Sequence, residues 1–209
     1  MSCSVLYMSM SLDGFIAGPN EGPDNGLGDG GDQLHEWAFP GAEGGDFEAA
    51  ARRLRGVNRQ VYDEFMSTGA VVAGRGTFEP AGGWGGDHHD GAPIYILSRN
   101  PAPDWAADWS LVHYVSDLDA AMGDAKRAAG DKNVLVHGAA IAQRALTAGL
   151  LDEIEIALVP VLFGDGRRLF EHLGVVQRQL ERIRVLEGDA GVTHLRYRVP
   201  SSEANKKQP

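Results

Sequence analysis

Two short segments of this sequence carry the residue types that bind phosphate groups. The segment Gly74–Thr77 (GRGT) follows the apolar run Ala70–Ala73, and Ser98–Arg99 follows the apolar run Pro93–Leu97. A glycine lets backbone N–H groups approach an anion, a guanidinium offers two parallel donors, and a hydroxyl offers a neutral donor. Both segments are therefore candidates for an anion site at the end of a strand. The alternative for Arg75 is that it only binds carbonyl groups at the ends of neighbouring elements.

A third candidate lies in the stretch from Val134 to Phe170. Its first residues, Val134–His137 (VLVH), predict a strand, and Gly138–Ala140 then allow a tight turn into a helix that Gly149 ends. A helix that begins directly after such a turn points unpaired N–H groups, and the positive end of its dipole, at a ligand above the strand. Diphosphate suits that position. The alternative is that the small residues only allow close packing of helix and sheet.

The elements that must position these segments predict an α/β protein. Ile154–Phe163 predicts a strand with Pro160 at an edge or a bulge, so a strand–helix–strand unit with parallel strands and a right-handed crossover results. Asp46–Met66 predicts a helix capped by Asp46 and interrupted near 56–58. Further predicted elements are the strands Cys3–Ser11 and Leu111–Val115, the helix Asp117–Ala129 capped by Ser116 or Asp117, and a hairpin of Leu180–Glu187 with Val192–Val199. The total is about eight strands, mostly separated by helices.

A long segment from Gly14 to Gly45 is dense in Gly, Asp, Asn and Pro and predicts a loop. Loops of this length in a compact domain are usually functional, so we interpret it as a cover over a site. Leu34, Trp37 and Phe39 form an isolated apolar group that would dock the loop. The alternative is a solvated surface excursion.

Three further motifs carry weaker signals. Gly26, Gly28 and Gly31 have the spacing G-x-G-x-x-G, but no strand precedes them and aspartates lie between them, so we reject a dinucleotide fingerprint. The pair His35–Glu36 is interpreted as solvated or substrate-facing. Asp87–Asp90 (DHHD) would suit a divalent metal, but adjacent side chains in a glycine-rich loop more often point into water. We therefore predict no metal site.

Composition excludes several classes of protein. The net charge of -10 over 209 residues argues against a nucleic-acid binder. A single cysteine, Cys3, permits no intrachain disulfide, and no apolar run approaches the ~20 residues of a membrane span. We expect a cytoplasmic protein with one domain over residues 1–200 and a polar, disordered tail at 201–209.

The three phosphate-capable segments should lie together, because the carboxyl ends of strands in an open α/β sheet share one edge. Two arginines and a helix N-terminus suit more negative charge than one diphosphate carries. A dinucleotide with an additional 2′-phosphate would use all three segments.

At this point the chain resembles the dihydrofolate-reductase-like proteins, and within them the C-terminal reductase domain of the bacterial riboflavin-biosynthesis deaminase/reductase. The resemblance is carried by Ser11–Gly14 (SLDG), Gly74–Glu79 (GRGTFE), Ser98–Arg99 and Gly149–Phe170 (GLLDEIEIALVPVLFGDGRRLF). It implies a three-layer α/β/α fold with a central mixed sheet, NADPH as cofactor and a homodimer. It also implies an oxidoreductase similar to dihydrofolate reductase or to 5-amino-6-(5-phosphoribosylamino)uracil reductase, acting on a C=N or C=O group of a small pteridine- or aminopyrimidine-like heterocycle.

The resemblance also implies roles for individual residues. Asp13 would lie near the nicotinamide or the substrate, as a catalytic residue or as part of a turn-forming Asp-Gly pair. Gly164–Arg168 would lie toward the substrate or the dimer contact, and Trp37 and Gly164 are the candidates for substrate contact. The implied cofactor-binding residues are Gly74, Arg75, Gly76, Thr77, Ser98, Arg99, Gly138, Ala139, Ala140 and Ile141.

The sequence departs from the family pattern at two places. The family often has a second glycine where this chain has Ala139, and a methyl group there would crowd the diphosphate. Dihydrofolate reductases also place a carboxylate on the helix after the first loop, and Asp32, Glu36, Asp46 and Glu48 all stay open for that position.

Two other functions stay open at this stage. One is an NADPH- or nucleotide-binding protein without turnover, which is compatible with a phosphate site and no assigned acid. The other, more distant, is a metal-dependent hydrolase built on His35 and Asp87–Asp90.

Overall fold

The computed structural model describes residues 2–22, 24–42, 46–174 and 177–200. The strands are β1 (Ser4–Ser11), β2 (Phe15–Ala17), β3 (Ala70–Gly74), β4 (Ile94–Leu97), β5 (Val112–Val115), β6 (Val134–His137), β7 (Glu153–Val159), β8 (Arg167–Arg168), β9 (Glu181–Glu187) and β10 (Thr193–Arg198). The helices are α1 (Phe47–Arg52), α2 (Gly56–Met66), α3 (Arg75–Phe78), α4 (Leu118–Ala129) and α5 (Ala139–Ala148). The predicted tail at 201–209 lies outside the described residues.

Eight strands form one mixed sheet in the order β5-β4-β3-β6-β1-β7-β10-β9. The first six strands in this order, from β5 across the sheet to β7, run parallel to one another. β10 is antiparallel to both β7 and β9. β2 and β8 form a separate antiparallel pair. This architecture confirms the predicted α/β class, the mixed central sheet of eight strands and the C-terminal hairpin.

Both faces of the sheet are covered, so its inner strands carry mostly apolar side chains. Side chains of β1 alternate between two cores: Leu6 belongs to the core under α4 and α5, and Val5 to the core on the opposite face. That second core also receives Phe65 from α2 and the indoles of Trp84 and Trp109. The result is the three-layer arrangement that the sequence predicts.

The β6–α5–β7 unit confirms the prediction of parallel strands, with β1 inserted between them. Its second strand is shorter than predicted, because β7 ends at Val159, before Pro160. The prediction of a strand that continues through Pro160, at an edge or a bulge, is therefore wrong. β7 is hydrogen-bonded on both sides, and proline has no N–H to give to such a ladder.

Two helix boundaries differ in detail from prediction. The break between α1 and α2 falls at 53–55, where Arg55 is extended, rather than at 56–58. Asp46 does cap α1, because its carboxylate accepts a hydrogen bond from Ala49 N at 3.0 Å. Asp117, and not Ser116, caps α4 by accepting from Ala120 N at 2.8 Å. None of the described helices is long and apolar enough to cross a membrane.

The described residues of the segment 14–45 include more regular structure than a loop prediction implies. The segment contains β2 and a 3-10 helix at Gly31–His35. Its apolar group docks as expected, since Leu34 is fully buried and Trp37 Nε1 donates to Ser9 Oγ of β1 at 2.9 Å. The pairing of β2 with β8 joins residues about 150 positions apart. A local pattern cannot reveal such a pairing.

Candidate functional site

A cleft of about 1740 Å³ lies over the face of the sheet that α2 covers. At one side, which we call the β3–β6 side, it is lined by Thr77, His137 and Arg167. At the other, the β7–β10 side, it is lined by Glu155 and His194. Because β1 lies between β6 and β7, the two sides meet over β1, where Tyr7 and Ser9 form the floor.

The β3–β6 side brings together the three segments that the sequence singles out. β4, β3 and β6 are adjacent and parallel, so the residues that follow them share one edge of the sheet. Gly138 has φ 96°, and a Cβ built on it would lie 2.1 Å from Oγ1 of Thr77. Only glycine allows this approach of the two turns. The fold therefore places the three segments at one edge of the sheet, as predicted.

The side chains at these strand ends already have partners. Arg75 binds Glu79 through two contacts of 2.8 and 3.0 Å, and the Tyr114 hydroxyl donates to the same carboxylate at 3.2 Å. The hydrogen bonds that Arg75 donates to the Glu79 carboxylate raise the pKa of Arg75. Ser98 Oγ donates to Asn100 O at 2.7 Å, while Arg99 is exposed to solvent. The free guanidinium at this edge is therefore that of Arg99.

The start of α5 has the geometry expected of an anion site. No side chain in the described part of the chain caps this helix, so the N–H groups of its first turn, Ala139–Ile141, have no such partner. Ala139 is only 5% exposed and belongs to the core under α4 and α5. Its methyl group is directed into that core, so the expected crowding of a diphosphate is not what the structure shows.

Acidic side chains predominate in the lining of the cleft. The carboxylates that line it are Glu21, Asp24, Asp32, Glu36, Glu48, Asp87, Asp90 and Glu155. Among the described residues, Arg167 is the one arginine in this lining, which contains no lysine, and its Nε lies 2.5 Å from Oε2 of Glu21. Arg167 also lies near the first turn of α3, since a Cβ on Gly76 would be 3.6 Å from its Nη1. Sequence reasoning placed Gly164–Arg168 only toward the substrate or a dimer contact.

The β7–β10 side has a buried polar row that the sequence analysis missed. Tyr7, Glu155, Arg196 and Arg184 are paired in register across β1, β7, β10 and β9. Glu155 is only 2% exposed, and its Oε1 lies 3.3 Å from Arg184 Nη2 while its Oε2 lies 3.7 Å from Arg196 Nε. Burial raises the pKa of Glu155 and raises that of Tyr7 to about 12. The sequence signal that could have revealed this row is Glu155, a charged residue inside a mainly apolar strand.

Trp37, a candidate for substrate contact, lines this side of the cleft. Its ring packs edge-on against His194 with centroids 4.7 Å apart. His194 Nε2 lies 3.2 Å from Asn58 Oδ1, whose amide nitrogen in turn donates to Trp37 O at 3.2 Å. Burial lowers the pKa of His194 to about 4, so the imidazole is neutral at physiological pH.

His88 and His89 of the Asp87–Asp90 loop pack against aromatic rings, whereas the sequence-based interpretation has them pointing into water. His89 is 3% exposed and packs against Phe65, and the His88 ring packs 4.2 Å from that of Trp84. Burial lowers the pKa of His88 to about 2 and the pKa values of His89 and His137 to about 4. Within the described residues, no group of three or more His, Cys, Asp or Glu side chains is arranged to hold a metal ion.

Of the two interpretations of the pair His35–Glu36, the solvated one does not hold for His35, and the substrate-facing one stays open because both residues line the cleft. The Nδ1 atom of His35 is buried without a hydrogen-bond partner in the described chain, and burial lowers the pKa of this histidine. Its neighbour Glu36 is exposed.

Asp13 lies at the mouth of β1 and holds the chain that follows β7. Its carboxylate accepts from Gly164 N at 2.7 Å and from Phe163 N at 3.1 Å, and the Ser11 hydroxyl donates to it at 2.6 Å. The hydrogen bond from Ser11 is the main reason that the pKa of Asp13 falls to about 2. The structure therefore brings Asp13 and Gly164 together, with the carboxylate engaged by backbone.

Three of the four acids that stay open for the helix position have partners within the protein. Asp46 caps α1, Glu48 pairs with Arg52, and Glu36 accepts from Gly41 N. On α2 the first-turn residue that reaches the wall of Trp37 and His194 is Asn58, an amide. The deeply buried carboxylate that lines the cleft is Glu155, on a strand.

The fold and the cleft define an α/β protein whose strand ends suit phosphate groups and whose floor suits a polar ligand. The chain belongs to the RibD C-terminal domain family, whose model matches residues 4–193. Membership of this reductase family supports an oxidoreductase. No curated protein in the comparison matches this chain.

Solved structures share the fold at low sequence identity. A Shewanella protein described as a riboflavin biosynthesis protein is 22% identical, with 95% of this chain and 99% of that chain covered and a TM-score of 0.69. A pyrimidine reductase-like protein from Corynebacterium diphtheriae is 13% identical, with coverage of 96% and 93% and a TM-score of 0.60. RibD from Acinetobacter baumannii is 16% identical with a TM-score of 0.59, and 96% of this chain spans 58% of that one.

Proposed function

We propose that this protein is an NADPH-dependent reductase that transfers a hydride to a C=N or C=O group of a small heterocycle of the pteridine or aminopyrimidine type. Its place would be among reductases of the riboflavin-biosynthesis kind. Membership of the RibD C-terminal family supports the reaction class. The observation that carries the proposal for the cofactor is the contact of Gly138 with Thr77, which places three phosphate-capable strand ends side by side.

The residues of the β3–β6 side fit the cofactor. When bound, NADPH would supply the hydride from C4 of its nicotinamide. The open N–H groups at the start of α5 and the Gly74–Thr77 turn would hold the diphosphate, because a helix N-terminus favours negative charge. Ser98 and Arg99 would hold the 2′-phosphate.

The residues over β1 would position the reacting groups. Tyr7 and Ser9 form the floor between the two sides of the cleft, and neutral His137 lines it next to them. Side chains of Phe65 and Trp84 cover this region and exclude water from it. Asp13 would orient the Gly164 segment through its backbone contacts, which is a positioning role.

A titration with NADPH and, separately, with NADH tests the proposal. Quenching of tryptophan fluorescence reports binding, since Trp37 and Trp84 line the cleft. We expect a clear preference for NADPH, and we expect Arg99→Ala to weaken NADPH about tenfold while it barely changes NADH. Failure of both cofactors to bind would reject the proposal, and equal weakening of both by the substitution would reject the role of Arg99.

The alternative is a protein that binds NADPH without turnover. The engagement of the Asp13 carboxylate by Phe163 and Gly164 favours it, because this acid is not free to exchange protons. Such a protein would bind NADPH and never oxidise it with any pteridine, aminopyrimidine or carbonyl compound offered.

A homodimer, which the family resemblance implies, stays a prediction. The apolar strand β7 is paired on both sides and offers no free edge. The outer strand β9 does, and it carries Ile183 and Val185 with exposures of 40% and 44%. Measurement of the molecular mass in solution would test this.

A further inference from the structure

We propose that the cleft binds a small cyclic iminium ion, a C=N group protonated on nitrogen, and that Nε2 of His88 and Nε2 of His137 accept hydrogen bonds from its N–H group. The inference rests on the proposed function, because it names the hydride acceptor that such a reductase would reduce. Phe65, Trp84, His88 and His137 all line the cleft, and we call this group the imidazole pocket. Its hydrogen bonding, its aromatic surface and the charge around it carry the inference.

The tautomers of the histidines follow from their hydrogen bonds. Nδ1 of His137 lies 3.1 Å from Tyr7 O and therefore carries the hydrogen, because a carbonyl oxygen only accepts. For the same reason Nε2 of His89 carries the hydrogen, since it lies 2.9 Å from Phe65 O. Nδ1 of His89 is then the acceptor in its bond with Nδ1 of His88, so His88 also carries its hydrogen on Nδ1. Both His88 and His137 are neutral, which leaves a lone pair on each Nε2.

Both of these acceptor nitrogens are open to the cleft. The hydrogen bonds of the two rings to other described residues run through Nδ1 alone. The buried side-chain atoms without a partner in the described chain belong to other residues, so Nε2 of His88 and Nε2 of His137 keep accessible surface. The centres of the two rings are 5.9 Å apart. Two neighbouring acceptors favour a ligand that supplies N–H groups.

The second feature is the aromatic surface of the imidazole pocket. The Trp84 ring lies edge-on to His88 and to His137, with centroid distances of 4.2 and 5.7 Å. The Phe65 ring lies 5.7 and 6.4 Å from the same two rings. Such a wall suits a flat ring, and the π face of an indole also attracts a positive charge on that ring.

The third feature is the sign of the charge. Asp87 and Asp90 flank the two adjacent histidines of their loop, and both are exposed and line the cleft. Arg167, the one arginine among the described residues of this lining, is paired with Glu21. The start of α5 and Arg99, the anion-binding candidates, lie outside the lining, so cofactor phosphates there stay apart from these carboxylates. A cleft lined by negative charge attracts a cation.

Reduction of an iminium ion balances without a proton donor. Its carbon gains a C–H bond from the hydride that NADPH supplies, and the π electrons of the C=N bond move to the nitrogen. The nitrogen keeps its hydrogen and becomes a neutral amine, while the positive charge ends on the oxidised cofactor. This reaction suits a site in which Phe163 and Gly164 hold the Asp13 carboxylate.

The experiment measures binding by calorimetry, with and without NADPH present. Tetrahydroisoquinoline is an ammonium ion at neutral pH and tests charge and N–H together. Its N,N-dimethyl derivative keeps the charge without N–H, and isochroman has a neutral oxygen in place of the nitrogen. We expect the ammonium ion to bind at least about tenfold more tightly than isochroman, with the dimethyl cation between them. Added salt should weaken both cations, because exposed carboxylates are screened.

One pair of variants tests the imidazole nitrogens. His88→Phe keeps a flat ring and removes the acceptor, so it should abolish most of the preference for the ammonium ion over the dimethyl cation. His113→Phe is the matched control, since His113 is exposed on β5 and does not line the cleft. It should keep the preference. If His88→Phe does not fold, the three probes on the unaltered protein still decide.

A second pair of variants separates the charge of the cleft from the net charge of the protein. Asp87→Asn combined with Asp90→Asn should weaken both cations and leave isochroman unchanged. Asp104→Asn combined with Asp108→Asn changes the net charge equally at exposed positions outside the cleft. This control should leave all three affinities unchanged, and equal weakening of the cations in both double variants would contradict the inference.

Equal affinity for the ammonium ion and isochroman, equal affinity for the two cations, or no binding of any probe would each overturn the inference. Consumption of NADPH with dihydroisoquinolinium, followed by absorbance, tests the hydride step, and no consumption although both bind would reject the cation as the acceptor. NADPH binding without a preference among the probes removes the inference alone. The expected preference in a protein that does not bind NADPH removes the reductase proposal alone.

Discussion

The two sides of the cleft are built in opposite ways. On the β3–β6 side, binding groups come from backbone: the open start of α5, the contact of Gly138 with Thr77, and turns that directly follow buried strands. On the β7–β10 side, they come from side chains in the middle of strands, with Glu155 and His194 buried and partly unpaired. The first side suits an anion, whereas the second consists of polar side chains that are buried within the sheet.

The two sides of the cleft also differ in how their polar groups affect the stability of the fold. Turns with glycine at strand ends satisfy their backbone groups locally or expose them to solvent. A carboxylate buried next to Arg184 and Arg196 depends instead on elements that are far apart in the chain. Groups held in this way are often destabilising and are kept where function needs them. Substitutions on the two sides should therefore differ in their effects on ligand affinity and on stability.

The largest effect is expected from Gly138→Ala. The new methyl would lie 2.1 Å from Thr77 Oγ1 at a residue with φ 96°, so the two turns must separate. We expect NADPH affinity to fall more than about tenfold and the free energy of unfolding to fall by about 1–3 kcal/mol. Gly149→Ala, at the other end of α5, is the control, because it has φ 72° and open space around it. It should cost about 1 kcal/mol and leave NADPH binding intact; equal loss of binding in both variants would contradict the assignment.

Arg167→Ala should weaken NADPH binding about tenfold without unfolding the protein. The guanidinium lies on the β3–β6 side near the turn at Gly76, where a phosphate group would draw it from Glu21. Arg168→Ala is the control, since the Arg168 guanidinium lies 4.3 Å from the centre of the Phe15 ring and does not line the cleft. Fluorescence titration of the two variants measures the difference, and similar affinities in both would count against Arg167 as a cofactor contact.

Asp13→Asn should lower the melting temperature at neutral pH. The depressed pKa of Asp13 means that its stabilising effect is present above the ordinary carboxyl pKa and is lost as pH falls toward about 2. The melting temperatures of the variant and the unaltered protein should therefore converge in acid. Once a substrate is known, full turnover by the variant would exclude a chemical role for this carboxylate and leave its hold on Gly164.

Of these substitutions, Glu155→Gln should have the smallest effect on stability. The other substitutions destabilise the protein or weaken binding, whereas this one should stabilise the protein. Burial raises the pKa of Glu155, so its favourable protonated form is present below the ordinary pKa and is lost as pH rises through the raised value. A glutamine resembles the protonated acid, so the variant should become relatively more stable as pH rises. Glu153→Gln should be less stable than the unaltered protein at neutral pH, because it loses the 2.7 Å contact with Arg196. Thermal unfolding over a pH series separates the two, and a loss of stability in Glu155→Gln at every pH would show that the carboxylate is structural.

Much of the β3–β6 side was predictable because its signals are local. An apolar run followed by GRGT, or by Gly138 and small residues, indicates a strand that ends in a turn, whatever the rest of the chain does. The helix α5 and its end at Gly149 follow from the spacing of apolar residues in the same way. Family membership, too, was visible in these contiguous motifs.

The order of the strands and the β7–β10 side were decided by tertiary structure. Glu155 was visible as one acid in an apolar strand, but its burial between Arg184, Arg196 and Glu64 depends on β9, β10 and α2, which lie far away in sequence. The pairing of β2 with β8, the position of Pro160 after β7 and the packing of His88 and His89 share this origin. Helix hydrogen bonds and turns join residues within about four positions, whereas strand neighbours and burial join residues at any separation. The sequence by itself therefore determined the elements and the turns that follow the strands, and only the tertiary structure determined which polar groups line the cleft.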